Sequence, residues 1–197
     1  MKKVMIPLMI LLLSLSAYGD DETLISGEIE SGGYGGLEVK FASINGEWEV
    51  LVGGRGGWII NHEFVIGAAG YGLATEGETS PGIVFPVTNY IFDMGYGGVL
   101  LGYISRSHRL VHVTLDVLIG GGGLSQRDDV YQDYYYDDSD AFFIIEPNVN
   151  FELNVSSKIR FAFGGGYRIT SGADYMNLDD EDISGTSINL MLKFGKF

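Results

Sequence analysis

The side chains with the most chemistry in them lie on segments where charge and grease alternate. Glu38, Lys40, Arg55, Asp116, Glu146, Glu152, Lys158, Arg160, Arg168 and Lys193 share one parity, and the residues between them are largely apolar. Gathered on the inner face of a closed sheet, such charges could form an ion pathway, or they could neutralise one another and fill the interior. A barrel of about eight strands is just wide enough inside to be filled by side chains, which favours a structural salt-bridge plug. Charges enclosed there must be paired and hydrogen-bonded, because an unpartnered buried charge is very unfavourable. A hairpin turning at 155–157 is expected to set Glu146 and Glu152 opposite Arg160 and Lys158.

A second group is acidic and aromatic. Asp128, Asp129, Asp133, Asp137, Asp138 and Asp140 interleave with Tyr131, Tyr134, Tyr135 and Tyr136, and Asp174, Asp179, Asp180, Glu181 and Asp182 follow later. Several carboxylate oxygens suit a hard divalent cation. Neither stretch has the Asp-x-Asp-x-Asp-Gly spacing of a calcium loop, so both read first as solvated, self-repelling loops. Tyrosines among polar residues also make an adaptable contact surface. Asp128, Tyr131, Tyr134, Tyr135, Tyr136 and Asp138 are therefore the candidate surface-binding loop, for an extracellular ligand or a divalent cation.

Catalysis finds little support. There is no cysteine, which removes thiolate nucleophiles, disulfides and Cys-held zinc. A Ser107, His112 and Asp116 group can be drawn, but Ser107 falls in a tight turn. The strand spacing from His112 to Asp116 is also too long for a hydrogen bond. His62 and His108 fall at turns. The glycine runs 120–123 and 164–166 lack a following helix, so they do not read as phosphate loops; they suit strong curvature and close strand contact. The net charge of −14 leaves no basic stripe for nucleic acid. The expectation is a non-enzyme without cofactor or metal.

The elements that must carry these residues are strands. In 158–169, Ile159, Phe161, Phe163, Tyr167 and Ile169 alternate with Lys158, Arg160, Ala162, Gly164, Gly166 and Arg168. Phe143, Ile145, Val149, Phe151 and Leu153 do so with Glu146, Asn148, Asn150 and Glu152, with Pro147 as a blemish in the ladder. Leu37, Val39 and Phe41, then Trp48, Val50 and Val52, then Val111 to Ile119, and finally Ile188 to Phe194 follow the same rule. Segments 63–74 and 93–105 are apolar and glycine-rich on both faces. The tight gaps lie at 61–62, 106–107 and 155–157. The long polar ones lie at about 75–89, 124–140 and 171–184, and Asn45-Gly46 marks a hairpin turn. Thirty glycines with 12 Tyr, 11 Phe and only four Pro favour sheet over disorder.

Residues 1–19 read as a signal peptide, with Lys2 and Lys3 before an apolar stretch and small residues at Ala17 and Gly19. Residues 20–32 then form a flexible periplasmic lead and 33–197 the barrel domain. Export, an even strand number and short turns opposite long loops together give the outer-membrane arrangement, with both termini at the short-turn end. Apolar residues then face lipid and the charges face the lumen. Trp48, Trp58, Tyr90, Phe92, Tyr103 and Tyr167 are candidates for interfacial girdles.

On these residues the chain resembles the small eight-stranded outer-membrane barrels of the OmpA and OmpX type. It also resembles uncharacterised barrel proteins in Val52-Gly53-Gly54-Arg55-Gly56-Gly57-Trp58 and Met94-Gly95-Tyr96-Gly97-Gly98. The resemblance implies an all-β, eight-stranded antiparallel up-and-down transmembrane barrel that meets outer-membrane lipid. Such barrels end in an aromatic residue read by the barrel assembly machinery, which fits Phe197; it is out of phase with the apolar set ending at Phe194, so a bulge or frayed tail is expected there. The expected role is in envelope structure or surface interaction. A narrow pore, a lipid-modifying envelope enzyme and a soluble periplasmic ligand carrier remain as alternatives.

Overall fold

The computed structural model describes residues 30–74, 90–128, 139–175 and 178–197. Eight long strands close into one antiparallel barrel: β1 (Ser31–Ile44), β2 (Glu47–Ile60), β3 (Phe64–Leu73), β4 (Tyr90–Ser105), β5 (Val111–Asp128), β6 (Ser139–Asn154), β7 (Ile159–Ser171) and β10 (Gly185–Lys196). Each pairs with its neighbour in the chain, and β1 closes on β10 from Gly33↔Lys196 to Ala42↔Ser187. Between β7 and β10 lie a miniature hairpin, β8 (Asp174–Tyr175) and β9 (Leu178–Asp179), and one helical turn, α1 (Asp180–Ile183). The eight-stranded up-and-down reading is thus met. β1 starts at Ser31, two residues before the expected boundary. The signal peptide and most of the lead lie outside the described residues.

Alternation puts the apolar set outside. Phe143, Phe161 and Leu190 are 48%, 40% and 37% exposed, whereas Glu146 and Arg160 are 0% and 5% exposed. Trp48, Trp58, Tyr103 and Tyr167 also face outward; the side chains of Tyr90 and Phe92 are outside the described set. No described helix is long and apolar enough to cross a membrane, so the outward apolar band belongs to strands alone.

Turn chemistry fixes the two ends. Asn45 and Gly46 take positive φ, as a two-residue hairpin with the twist of its strands requires. The tight turns of the opposite end use Asn61, His62 and Arg106 in the same left-handed region. Pro147 explains a gap in one ladder: β6 and β7 pair at Ile145↔Ile169 and resume at Asn148↔Gly166. A residue with no N–H donor removes a bond there.

The lumen is layered. At the long-loop end Leu51, Met94, Leu124, Phe142 and Ile144 form an apolar cluster into which Tyr175 and Ile183 of the β7–β10 connector insert. The middle is polar, and at the short-turn end Ile59, Val65 and Ile104 pack with Tyr34 and Phe197. Inward glycines let this packing fit. A Cβ on Gly122 would run into the ring of Phe142 and the Cβ of Tyr96.

Candidate functional site

The polar middle is built from inward positions of all eight barrel strands. Arg55 on β2 is its central cation. Its Nε and Nη2 donate to the two oxygens of Glu38 on β1 at 2.7 and 3.1 Å, and its Nη1 donates to Asp116 on β5 at 2.9 Å. A two-pronged Arg–carboxylate pair of this kind is both strong and directional. The Tyr71 hydroxyl donates to Glu38 at 2.7 Å. Asp116 also accepts from Asn148 at 3.1 Å and Asn150 at 3.0 Å, and Asn148 accepts from Asn189 at 2.9 Å. One hydrogen-bonded chain thereby crosses the lumen from β10 to β1.

Above it Lys40 and Glu146 form an ion pair with both side chains fully buried. Tyr96 donates to Glu146 at 2.8 Å, and the Lys40 ammonium lies 3.7 Å from the centre of the Tyr71 ring. Below it Glu152 is the shared acceptor. It pairs with Lys193, meets His112 Nε2 at 3.2 Å and Arg160 Nη1 at 3.5 Å, and Thr114 donates to it at 3.4 Å. Four carboxylates thus stand among five Lys and Arg cations in the band. The fifth cation, Arg168, points to the mouth. Its Nε donates to the Ile183 carbonyl at 2.6 Å and its Nη2 to the Ser43 carbonyl at 3.0 Å, so it holds the end of α1 against β1.

Nine of the ten charges read from parity are thus inward, and Lys158 is the correction. It lies in the turn before β7 and is exposed, because strand pairing starts only at Ile159. The expected facing pairs also shift: Glu152 stands across from Ala162 and Asn154 across from Arg160. Tyr71 and Tyr96 escape sequence reasoning, since they sit in glycine-rich segments without polar contrast. His112 lies on the wet parity and reads from sequence as a weak catalytic candidate, and its place here is in the charge network. Asn148 and Asn150 do carry a signal, being on the wet parity.

Phe197 is a further correction. The β1–β10 register runs without a bulge, so Phe197 keeps the inward parity of Met191 and Lys193. Its ring lies 4.0 Å from the Arg160 guanidinium and stacks on Tyr34 at 6.2 Å, helping to floor the lumen.

The Ser107, His112 and Asp116 group does not assemble. Ser107 offers its carbonyl to Arg160 at 3.3 Å, His112 faces Glu152, and Asp116 is held by Arg55.

At the long-loop end, residues 129–138, with Tyr131, Tyr134, Tyr135, Tyr136 and Asp138, lie outside the described residues. So does the side chain of Asp128, whose backbone ends β5 opposite Tyr90. The later acidic stretch is ordered by its own backbone. Asp179 caps α1 through the N–H groups of Glu181 and Asp182, and Asp182 returns a bond to Asp179 N at 3.0 Å. Asp180 accepts from Ala173 N, and Asp140 from Asp174 N. No cluster of metal ligands occurs among the described residues.

An antiparallel eight-stranded barrel with an apolar exterior and a charged, filled interior is the architecture of small outer-membrane barrels. Two solved proteins of that kind share it. Neisserial surface protein A (NspA) superposes with a TM-score of 0.57 at 11% identity, over 87% of this chain and 100% of NspA. Ail, the attachment invasion locus protein of Yersinia pestis, solved in complex with the heparin analogue sucrose octasulfate, gives 0.53 at 14% identity, over 86% and 99%. The likeness is one of fold. No protein-family model and no curated protein matches the sequence.

Proposed function

We propose that this chain is a non-enzymatic protein of the bacterial outer membrane that contributes to envelope structure and to contacts at the cell surface through its acidic, tyrosine-rich outer loops. It reaches that membrane by export and through the barrel assembly machinery. The observation that carries the reading is the closed lumen. Among the described residues, apolar layers at both ends flank a band whose carboxylates and cations engage one another, so side chains fill the interior. The filled interior speaks against a narrow pore, and the outward apolar face speaks against a soluble carrier. Activity is left to the outer rim.

The charge of that rim selects the partner class. Ail was solved with a polyanionic sugar. The outer end here carries Asp140, Asp174, Asp179, Glu181 and Asp182 beside the acidic 129–138 stretch, so a polyanion is repelled and a cationic ligand is favoured. Cells displaying the chain should capture poly-lysine and not heparin, and deletion of 129–138 should remove the capture. Equal poly-lysine binding before and after the deletion rejects the surface role.

A further inference from the structure

The exposed Lys and Arg side chains among the described residues all stand at the short-turn end: Arg106, Arg109, Lys158 and Lys196. The other cations whose side chains are described, Lys40, Arg55, Arg160, Arg168 and Lys193, are buried in the lumen. In a chain of net charge −14, this rim is a local reversal of sign. Among the described residues no carboxylate pairs with any of the exposed cations. Glu30, at the foot of β1, is taken by His62 at 2.5 Å, and Glu63 lies in the β2–β3 turn.

Backbone hydrogen bonds set these cations along one arc. Arg106 takes positive φ, and its carbonyl accepts from Arg109 N at 2.9 Å, which closes the β4–β5 turn. Asn154, at the end of β6, clasps that turn. Its Nδ2 donates to the Ser107 and Arg109 carbonyls at 3.0 and 2.7 Å, and its N–H donates to the Leu110 carbonyl at 2.9 Å. The following turn ends in Lys158, whose carbonyl accepts from Gly195 N at 3.0 Å, one residue before Lys196. Beside the cations, Leu110, Val111 and Val155 are exposed, and they continue the outward apolar face of Leu115, Phe151 and Leu153. The arc is thus a row of fixed positive charges with an apolar collar along its membrane side.

We propose that this arc binds the headgroups of anionic phospholipids in the periplasmic leaflet, with Arg106, Arg109 and Lys158 at the phosphates and Leu110, Val111 and Val155 among the upper acyl carbons. The inference rests on the outer-membrane reading above and adds a lipid preference to it. Basic side chains at the end of a membrane-spanning element reach the level of the headgroups while their stems stay on apolar surface. Guanidinium groups match phosphate oxygens in pairs. Clustered Lys and Arg at that level favour acidic over zwitterionic lipid. An acidic soluble partner would meet the same charges but leave the collar of Leu110, Val111 and Val155 uncovered, so the lipid fits both halves of the surface.

The test is native mass spectrometry of the refolded exported chain in detergent, titrated with phosphatidylglycerol or with phosphatidylcholine of the same acyl chains. Phosphatidylglycerol should be retained at concentrations where phosphatidylcholine is not. Each cation beside an acidic headgroup strengthens binding by about fivefold, so the double variant Arg109→Gln, Lys158→Gln should hold phosphatidylglycerol about 25-fold more weakly and phosphatidylcholine as before. Exchanging the two cations, Arg109→Lys with Lys158→Arg, should preserve the preference, and heat-modifiable migration confirms that each variant is folded. Equal retention of the two lipids, a double variant that binds like the parent, or displacement of the lipid by millimolar inorganic phosphate overturns the proposal. So does a gain in phosphatidylglycerol binding when residues 20–29, which carry Asp20, Asp21, Glu22 and Glu28, are removed, since the arc would then belong to the chain's own acidic lead. Those outcomes leave the outer-membrane reading standing, whereas a parent chain that fails to insert into phosphatidylcholine vesicles removes both.

Discussion

Replacing Arg55 by Met tests whether the lumen is held by charge pairing. The substitution keeps an apolar stem of similar length but withdraws the donors that hold both oxygens of Glu38 and one of Asp116. Among the described residues, Glu38 and Asp116 then keep only Tyr71, Asn148 and Asn150 as side-chain donors. Removing one partner of a buried ion pair costs about 3–5 kcal/mol. At about 2–4 °C per kcal/mol for a domain of this length, the apparent unfolding midpoint should fall by about 6–20 °C. The assay is the temperature at which folded and unfolded bands exchange on gels, checked by loss of strand circular dichroism. The triple variant Arg55→Met, Glu38→Gln, Asp116→Asn removes the charges together and should recover most of the loss, because a neutral replacement of a whole buried network is often nearly neutral in stability. A single variant that melts with the parent, or a triple variant no better than the single, would refute the reasoning.

Other predictions rest on the same geometry. Leu190→Arg, on the outward face of β10, should weaken insertion into lipid vesicles by about 2–4 kcal/mol if it sits near the bilayer midplane; an unchanged urea midpoint for folding into vesicles would contradict the assigned direction. Gly122→Ala should destabilise the barrel, because its new methyl meets Phe142 and Tyr96, while Gly72→Ala, with nothing near its Cβ, should melt with the parent. Melting curves for the pair decide this, and equal shifts would argue against a packed interior. Ile183→Asp places a carboxylate in the apolar mouth and should loosen the β7–β10 connector. Chymotrypsin should then cut after Tyr175, which is 4% exposed in the parent, faster than it does in the unaltered chain.

The fold is legible in the sequence because a period of two survives wherever one face is apolar and outward and the other is charged and inward. The run from Ile159 to Ile169 shows it, and so does the placement of its even members inside. The same rule fails at strand ends, as Lys158 illustrates: alternation continues through a turn, while the ladder does not. It fails again at Tyr71 and Tyr96. An amphipathic ring flanked by glycine gives no contrast between faces, and only the register, which pairs Tyr71 with Tyr96, shows that both hydroxyls meet the carboxylates of the lumen. The 171–184 connector reads as a polar loop by composition. Among its described residues the apolar Ala173, Tyr175, Leu178 and Ile183 are buried, and the acidic residues around them cap a helical turn. Sparse apolar residues in an acidic stretch carry no period, so nothing in the sequence marks them as a plug.

The layering also explains why so many charges are tolerated inside a narrow barrel. A carboxylate or guanidinium enclosed in a protein needs several hydrogen bonds as well as an opposite charge. Arg55 satisfies two acids at once, Asp116 accepts from three side chains, and Glu152 serves Lys193, Arg160, His112 and Thr114. Such sharing ties non-neighbouring strands to one another: Lys40 on β1 reaches Glu146 on β6, and Lys193 on β10 also reaches β6, at Glu152. The band therefore acts as a set of cross-braces through the barrel axis, a role that requires the interior to be filled. A lumen opened for transport would surrender those braces, so rigidity and closure are the same property here.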